Sequence, residues 1–313
     1  MAEELRIPVA GGELAVTDYG GPGRTVVLVH SVGYSSDVWR RFAPLLAESS
    51  RVLAVDLRGH GQSTAQLSEV LEIAADLETL VAELDLRCPV LLGHQYGGGV
   101  AAVIASLSPL LWGGLCVIDS PVTSSQAEYR GLLDIFSSEP VRDELANRFA
   151  FGASGVGEES RIRFLQEAGR RMSDDWLSLP RVGSEDYQLA RSVLTDPQSG
   201  EWVRQPTRRT VELLTTVDER FPVPGRELLE RVIAPVWVLQ PEDGEYGDGF
   251  DEVTAMAAGR LGWATTRLPG RSFMAHTHPE VLHDALVTLL SSLPKQQEPD
   301  RASLADRSRR PQT

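Results

Sequence analysis

The fold is first legible in Pro89-Val90-Leu91-Leu92-Gly93-His94-Gln95-Tyr96-Gly97-Gly98. Its first half is a short apolar run of the kind that forms a strand buried on both faces. Its second half is a glycine-bounded turn, and residues 97–108 beyond it are long enough for a crossover helix. Three other runs read as strands of the same sheet: Thr25-Val26-Val27-Leu28-Val29-His30, Arg51-Val52-Leu53-Ala54-Val55-Asp56 and Leu115-Cys116-Val117-Ile118-Asp119. With a second amphipathic stretch at 68–86, the alternation predicts an α/β class fold with a doubly wound, mostly parallel sheet. Residues 5–19 supply one or two antiparallel strands at its edge.

From 120 to 229 the alternation stops. Segments 127–136, 161–172 and 207–221 have helical spacing interrupted by Gly, Pro and Ser-Asp clusters, which predicts a helical lid insertion. The β pattern returns at Pro235-Val236-Trp237-Val238-Leu239 and near 264–268, and a helix over 279–293 closes the domain. The expected organisation is a core segment 1–119, a lid 120–229, a second core segment 230–293 and a disordered tail 294–313.

Lys and Arg number 30 and Asp and Glu 44, a formal net charge of −14. So acidic a surface repels phosphate backbones and anionic headgroups, which argues against nucleic-acid and membrane partners. Lys295 is the one lysine, so the body offers no Schiff-base amine. Cys88 and Cys116 lie in apolar segments and read as core thiols, with no disulfide framework or zinc cluster. The opening Met1-Ala2-Glu3-Glu4-Leu5 does not read as a basic secretory leader, and no run approaches the ~18 apolar residues of a spanning helix. The expectation is a soluble, cytoplasmic protein that acts on a small molecule or peptide and can form a homodimer.

Three motifs carry a resemblance. His30-Ser31-Val32-Gly33, followed by Trp39, resembles the His-Gly turn that leads to the oxyanion hole of α/β-hydrolases. Asp56-Leu57-Arg58-Gly59-His60-Gly61-Gln62-Ser63 is similar to that family's Asp-x-Arg-Gly-x-Gly-x-Ser loop, and Gly93-His94-Gln95-Tyr96-Gly97 falls at its Gly-x-Ser-x-Gly nucleophile elbow. The resemblance runs from about residue 5 to 293 and implies the α/β-hydrolase fold. It also implies a catalytic triad, which the chain does not spell. Gln95 stands at the nucleophile position, and a carboxamide cannot replace the hydroxyl. The family histidine falls on Ser272 or Arg271, depending on whether Pro279-Glu280 or Gly270 anchors the alignment. The carboxylate falls near Gly244, with Glu242, Asp243 and Asp248 beside it, or on Asp119.

Loss of one nucleophile or base of a triad can cost about a millionfold in turnover. The electrostatic part survives: the N–H groups of Tyr96 and of Ser31 or Val32 can face a carbonyl oxygen, and such a hole stabilises an enolate as well as a tetrahedral intermediate. The expectation is therefore a non-hydrolytic enzyme of a natural-product-like peptide or polyketide substrate, catalysing epimerisation, isomerisation, elimination or cyclisation. Asp119, Asp243 and His276 are the candidate proton carriers, and Gln95, Ser272, Trp176 and Phe136 the candidate pocket residues. No metal or cofactor is expected, since the His276-x-His278 pair alone is weak evidence for a metal. Two other readings stay open: a catalytically silent binding protein, and a hydrolase using rearranged residues. His30, His94, Arg58 and His60 are expected to brace loops, and Phe149, Phe151 and Tyr187 to line a pocket or pack the lid.

Overall fold

The computed structural model describes residues 2–173, 187–216 and 221–294. Trp176 and the tail beyond Pro294 lie outside the described residues, as does the side chain of Tyr187.

Among the described residues, eight strands form one sheet: β1 (Glu3–Val9), β2 (Gly12–Gly20), β3 (Thr25–Val29), β4 (Arg51–Val55), β5 (Val90–His94), β6 (Gly114–Ile118), and two later ones across the insertion. That insertion carries β7 (Ser154–Val156), β8 (Val193–Thr195) and β9 (Glu201–Arg204); β10 (Val236–Asp243) and β11 (Ala264–Arg271) then complete the main sheet. Its order is β1-β2-β4-β3-β5-β6-β10-β11. β1 and β2 form an antiparallel hairpin, and β2 runs antiparallel to β4. Every pair from β4 to β11 is parallel.

The apolar runs are unbroken because both faces are covered. Along β5, Leu91 joins the core on one side of the sheet and Val90 and Leu92 the core on the other. β3 does the same, with Val27 and Val29 on one face and Val26 and Leu28 on the opposite one. Each such side chain contributes roughly 1.5–3 kcal/mol on burial. Arg58 locks the loop after β4 through Asp76 (2.7 and 2.5 Å) and Glu72 (2.8 Å).

The insertion is not helical throughout. Helices Gln126–Ser137, Glu139–Arg148, Glu158–Ser173 and Arg208–Thr215 accompany a small antiparallel sheet, β7-β9-β8. Strands of three or four residues are too short to show a period-two pattern. Cys88 also departs from expectation: it is exposed, in a left-handed turn (φ 41°) before β5, whereas Cys116 is buried. Among the described residues no helix is long and apolar enough to cross a membrane.

Candidate active site at the carboxyl ends of the central strands

The parallel strands β5, β6, β10 and β11 end side by side, so the loops leaving them meet above one edge of the sheet. Gln95 follows β5 and caps the helix Tyr96–Leu107 with φ 49° and ψ −124°, a backbone region that disfavours any side-chain-bearing residue. Its neighbours make this turn possible. A Cβ on Gly93 would lie closer than 3.0 Å to the Gly97 backbone, and one on Gly97 equally close to the His30 and Val29 carbonyls. Strand and helix can therefore close on each other only with glycine there. Asp119, after β6, is also left-handed (φ 45°), as is Phe273 (φ 62°) after β11. Three strained non-glycine residues thus converge, which marks a place where position outweighs local comfort.

Asp119 is buried and fully engaged. Its Oδ1 accepts from Gln240 Nε2 (3.0 Å), Glu245 N (2.9 Å) and Tyr246 N (3.0 Å), while Oδ2 accepts from the Ser272 hydroxyl. Gly244 lets the loop after β10 come this near, since a Cβ there would collide with Gln240 and Asp119. Ser272 is accordingly the residue that enters the site, whereas Arg271 is exposed and pairs in register with Asp243.

The same loop delivers a second carboxylate, absent from the sequence-based expectations. Glu245 Oε2 accepts from Gln95 Nε2 at 3.0 Å. The residue is exposed, but its carboxylate end turns inward, and desolvation with the nearby Asp119 charge raises its pKa above the ordinary value. A base of elevated pKa therefore rests on the side chain at the elbow. Family spacing pointed near Gly244, one residue away, so proximity in sequence was the available signal.

The oxyanion candidates lie beside it. Tyr96 begins its helix, where the first N–H groups lack intrahelical acceptors. Its hydroxyl donates to the Leu214 carbonyl (2.5 Å), fastening the helix start to the insertion. Ser31 is buried, and its carbonyl accepts from Tyr34 N (3.2 Å); Val32 is half-buried. His30 holds this loop. Its Nδ1 lies 2.8 Å from the Ser31 carbonyl and its Nε2 accepts from Leu57 N at 3.1 Å, so the neutral tautomer with hydrogen on Nδ1 satisfies both contacts.

The remaining candidates differ in burial and partners. Asp243 is exposed at the end of β10. His276 is half-buried on the turn Met274–Thr277, and its carbonyl accepts from Arg41 (2.6 Å). Phe136 is half-buried on Gln126–Ser137. His94, at the end of β5, is buried against Phe273 and Trp39, with neither ring nitrogen hydrogen-bonded among the described residues. Burial lowers its pKa to about 4, partly opposed by Asp119. Among the described residues no group of three His, Cys, Asp or Glu side chains is placed to hold a metal.

A parallel sheet with this order, a strained turn after its central strand and loops gathered at the carboxyl ends define an α/β-hydrolase architecture. The Alpha/beta hydrolase family model matches residues 26–285, and the chain belongs to that family. Its sequence is 36% identical over 192 residues to the dihydrolipoyllysine-residue acetyltransferase component of the acetoin cleaving system of Pseudomonas putida, covering 59% of this chain and 48% of that protein. It is 37% identical over 110 residues to protein phosphatase methylesterase 1 of Mus musculus, covering 32% of this chain and 28% of that one. The chain thus spans at most about half the length of these curated relatives. A solved structure of a hypothetical protein from Pseudomonas aeruginosa PAO1 superposes with a TM-score of 0.63 at 21% identity, over 92% of this chain and 99% of that one.

Proposed function

We propose that this chain is a non-hydrolytic member of its family that moves a proton at a carbon beside a carbonyl. The class covers epimerisation, isomerisation, and elimination or cyclisation of a small peptide- or polyketide-like substrate. Residues 120–229 serve as the lid over the site, between core segments 1–119 and 230–293. The triad is degenerate in this reading, with Gln95 and Ser272 in place of nucleophile and base.

The observation that carries the reading is Glu245 held on Gln95. In a hydrolase the elbow presents an atom that attacks a carbonyl carbon. Here the elbow presents a carboxamide that orients a base. With a substrate carbonyl oxygen on the Tyr96 and Val32 or Ser31 N–H groups, Glu245 takes the proton from the adjacent carbon. The C–H electron pair moves into an enolate whose oxygen the N–H groups stabilise. The proton then returns to carbon from the protonated Glu245 or another donor, or the enolate expels a leaving group. Asp119 holds the Glu245 loop in place by accepting its two backbone N–H groups.

The test is incubation of α-acyl and β-keto carbonyl compounds with the protein in deuterated water, read by NMR. Deuterium on an α-carbon above background supports the reading, and none on any compound defeats it. Family membership favours a second reading, in which Glu245 activates water for direct hydrolysis. Release of acid from simple aryl esters, lost in Glu245→Gln, would support that one instead.

A further inference from the structure

Arg204 ends β9 and is 2% exposed. Burying a guanidinium calls for a counter-charge, because an unpaired ion loses several kcal/mol of hydration. Among the described residues no carboxylate pairs with it. One Nη2 hydrogen goes to the Gly33 carbonyl at 3.3 Å, while Nε and Nη1 have no hydrogen-bond partner among the described residues. The Phe151 ring lies beneath, 5.4 Å from the guanidinium carbon to its centroid. Burial lowers the Arg204 pKa to about 9, with the Tyr34 hydroxyl opposing the shift.

Other polar atoms nearby are also unsatisfied. His60 feels the charge of Arg204, its ring lies tilted 5.1 Å from that of His30, and its Nε2 is buried without a partner among the described residues. Gln205, the next residue along, buries an Oε1 without one. Native interiors rarely leave such a group of atoms unpaired, and an absent ligand is one of the few physical reasons for it.

The position of the guanidinium suggests which ligand. Gly33 directly follows Val32, one of the oxyanion candidates, so Arg204 is hooked onto the loop that would hold a substrate carbonyl. The free Nη2 hydrogen forms a two-point fork with either Nε or Nη1, and a planar carboxylate fills such a fork. On a chain of net charge −14 an anion gains nothing from the overall field. A carboxylate therefore needs a local, desolvated cation of this kind.

We propose that Arg204 is a specificity-determining residue that receives a carboxylate of the substrate while the substrate's carbonyl lies against the Val32 and Tyr96 N–H groups. The substrate class is thus an oxo acid or its acyl equivalent, with the anionic group a few bonds from the reacting carbonyl. The assignment builds on the site reading proposed above. Phe151, the ring beneath Arg204, also lines a groove of about 630 Å³ with Ala146, Gly152, Phe164 and Arg208.

The test is thermal unfolding of the full chain at matched ionic strength with 4-oxopentanoate, 5-oxohexanoate, their neutral methyl esters, or inorganic phosphate. The two oxo acids are expected to raise Tm by about 2 °C or more at ligand excess, and the esters to have little effect. The Arg204→Met variant is expected to lose the difference between acid and ester, and Arg204→Lys to keep part of it. The proposal is overturned if wild type does not separate acid from ester, if Arg204→Met separates them as well as wild type, or if phosphate stabilises more than the oxo acids. Oxo-acid binding through Arg204 without deuterium exchange at any α-carbon would keep this assignment and remove the proton-transfer reading.

Discussion

Gln95 and Glu245, 150 residues apart in sequence, meet through a 3.0 Å hydrogen bond from the carboxamide Nε2 to the carboxylate Oε2. The residue at the strained elbow thus acts by holding another side chain. In the proposed reaction the chemistry falls to the loop after β10, with the elbow as its support.

The pH dependence follows from that placement. Glu245 works as a base only when ionised, and burial and Asp119 raise its pKa above the ordinary carboxylate value. Turnover is therefore expected to be full above that raised pKa and to fall as the pH drops through it. In Asp119→Asn the negative neighbour is gone, so the acid limb should move to lower pH. The asparagine Oδ1 still accepts from Glu245 N and Tyr246 N, which keeps the loop in place. A pH–rate profile of both proteins checks this; an unmoved limb means that Asp119 does not act on the base.

Gly97→Ala should destabilise the fold. The added methyl would lie closer than 3.0 Å to the His30 and Val29 carbonyls, so the helix Tyr96–Leu107 must lift off β3. Overpacking of this kind costs about 1–3 kcal/mol. It also moves the Tyr96 N–H away from the candidate oxyanion position. Urea unfolding and turnover should fall together; a neutral urea midpoint would show the contact to be soft.

His94 should make the protein acid-sensitive. Its pKa of about 4 in the folded chain lies below the ordinary 6.5, so the unfolded chain binds the proton more readily. Its contribution is complete above pH 6.5 and is lost progressively as the pH falls toward 4. His94→Phe is expected to shrink the difference between urea midpoints at pH 7 and pH 5. An unchanged difference would assign the acid sensitivity to other groups.

Restoring the hydrolase residues should restore hydrolysis. Ser272 already reaches Asp119. A histidine there would face the same carboxylate, provided Glu245 no longer occupies the space. The triple variant Gln95→Ser, Ser272→His, Glu245→Gly is expected to cleave p-nitrophenyl acetate with an acylation burst. No burst from a folded variant would show that Gln95 and Ser272 do not align as nucleophile and base positions.

Much of this was legible in the sequence, for local reasons. The strands announced themselves because a doubly covered sheet demands unbroken apolar runs, and Gly93 and Gly97 marked the elbow because close strand-to-helix packing excludes a Cβ. Asp119 was legible as a candidate because it follows a readable strand, and Ser272 because Pro279-Glu280 anchors the family's histidine position on it. Glu245 was not, because the loop after β10 obeys no periodicity and its contact to Gln95 exists only in three dimensions. Arg204 was hidden similarly. It ends a four-residue strand within an insertion that read as helical, and its partner Gly33 lies 171 residues away. Cys88 misled because apolar neighbours in sequence do not reveal a left-handed turn toward solvent.

The most direct measurement is the rate of α-carbon deuterium incorporation into a responsive carbonyl compound by wild type and by Glu245→Gln, followed by NMR at one pH. Glutamine keeps the shape and can still meet Gln95 but cannot take a proton. The rate is expected to fall by about 10²–10⁴-fold, the usual contribution of a positioned general base, with Tm nearly unchanged because glutamine keeps the shape and the contact to Gln95. Equal rates in the two proteins would contradict the assignment of Glu245 as the base.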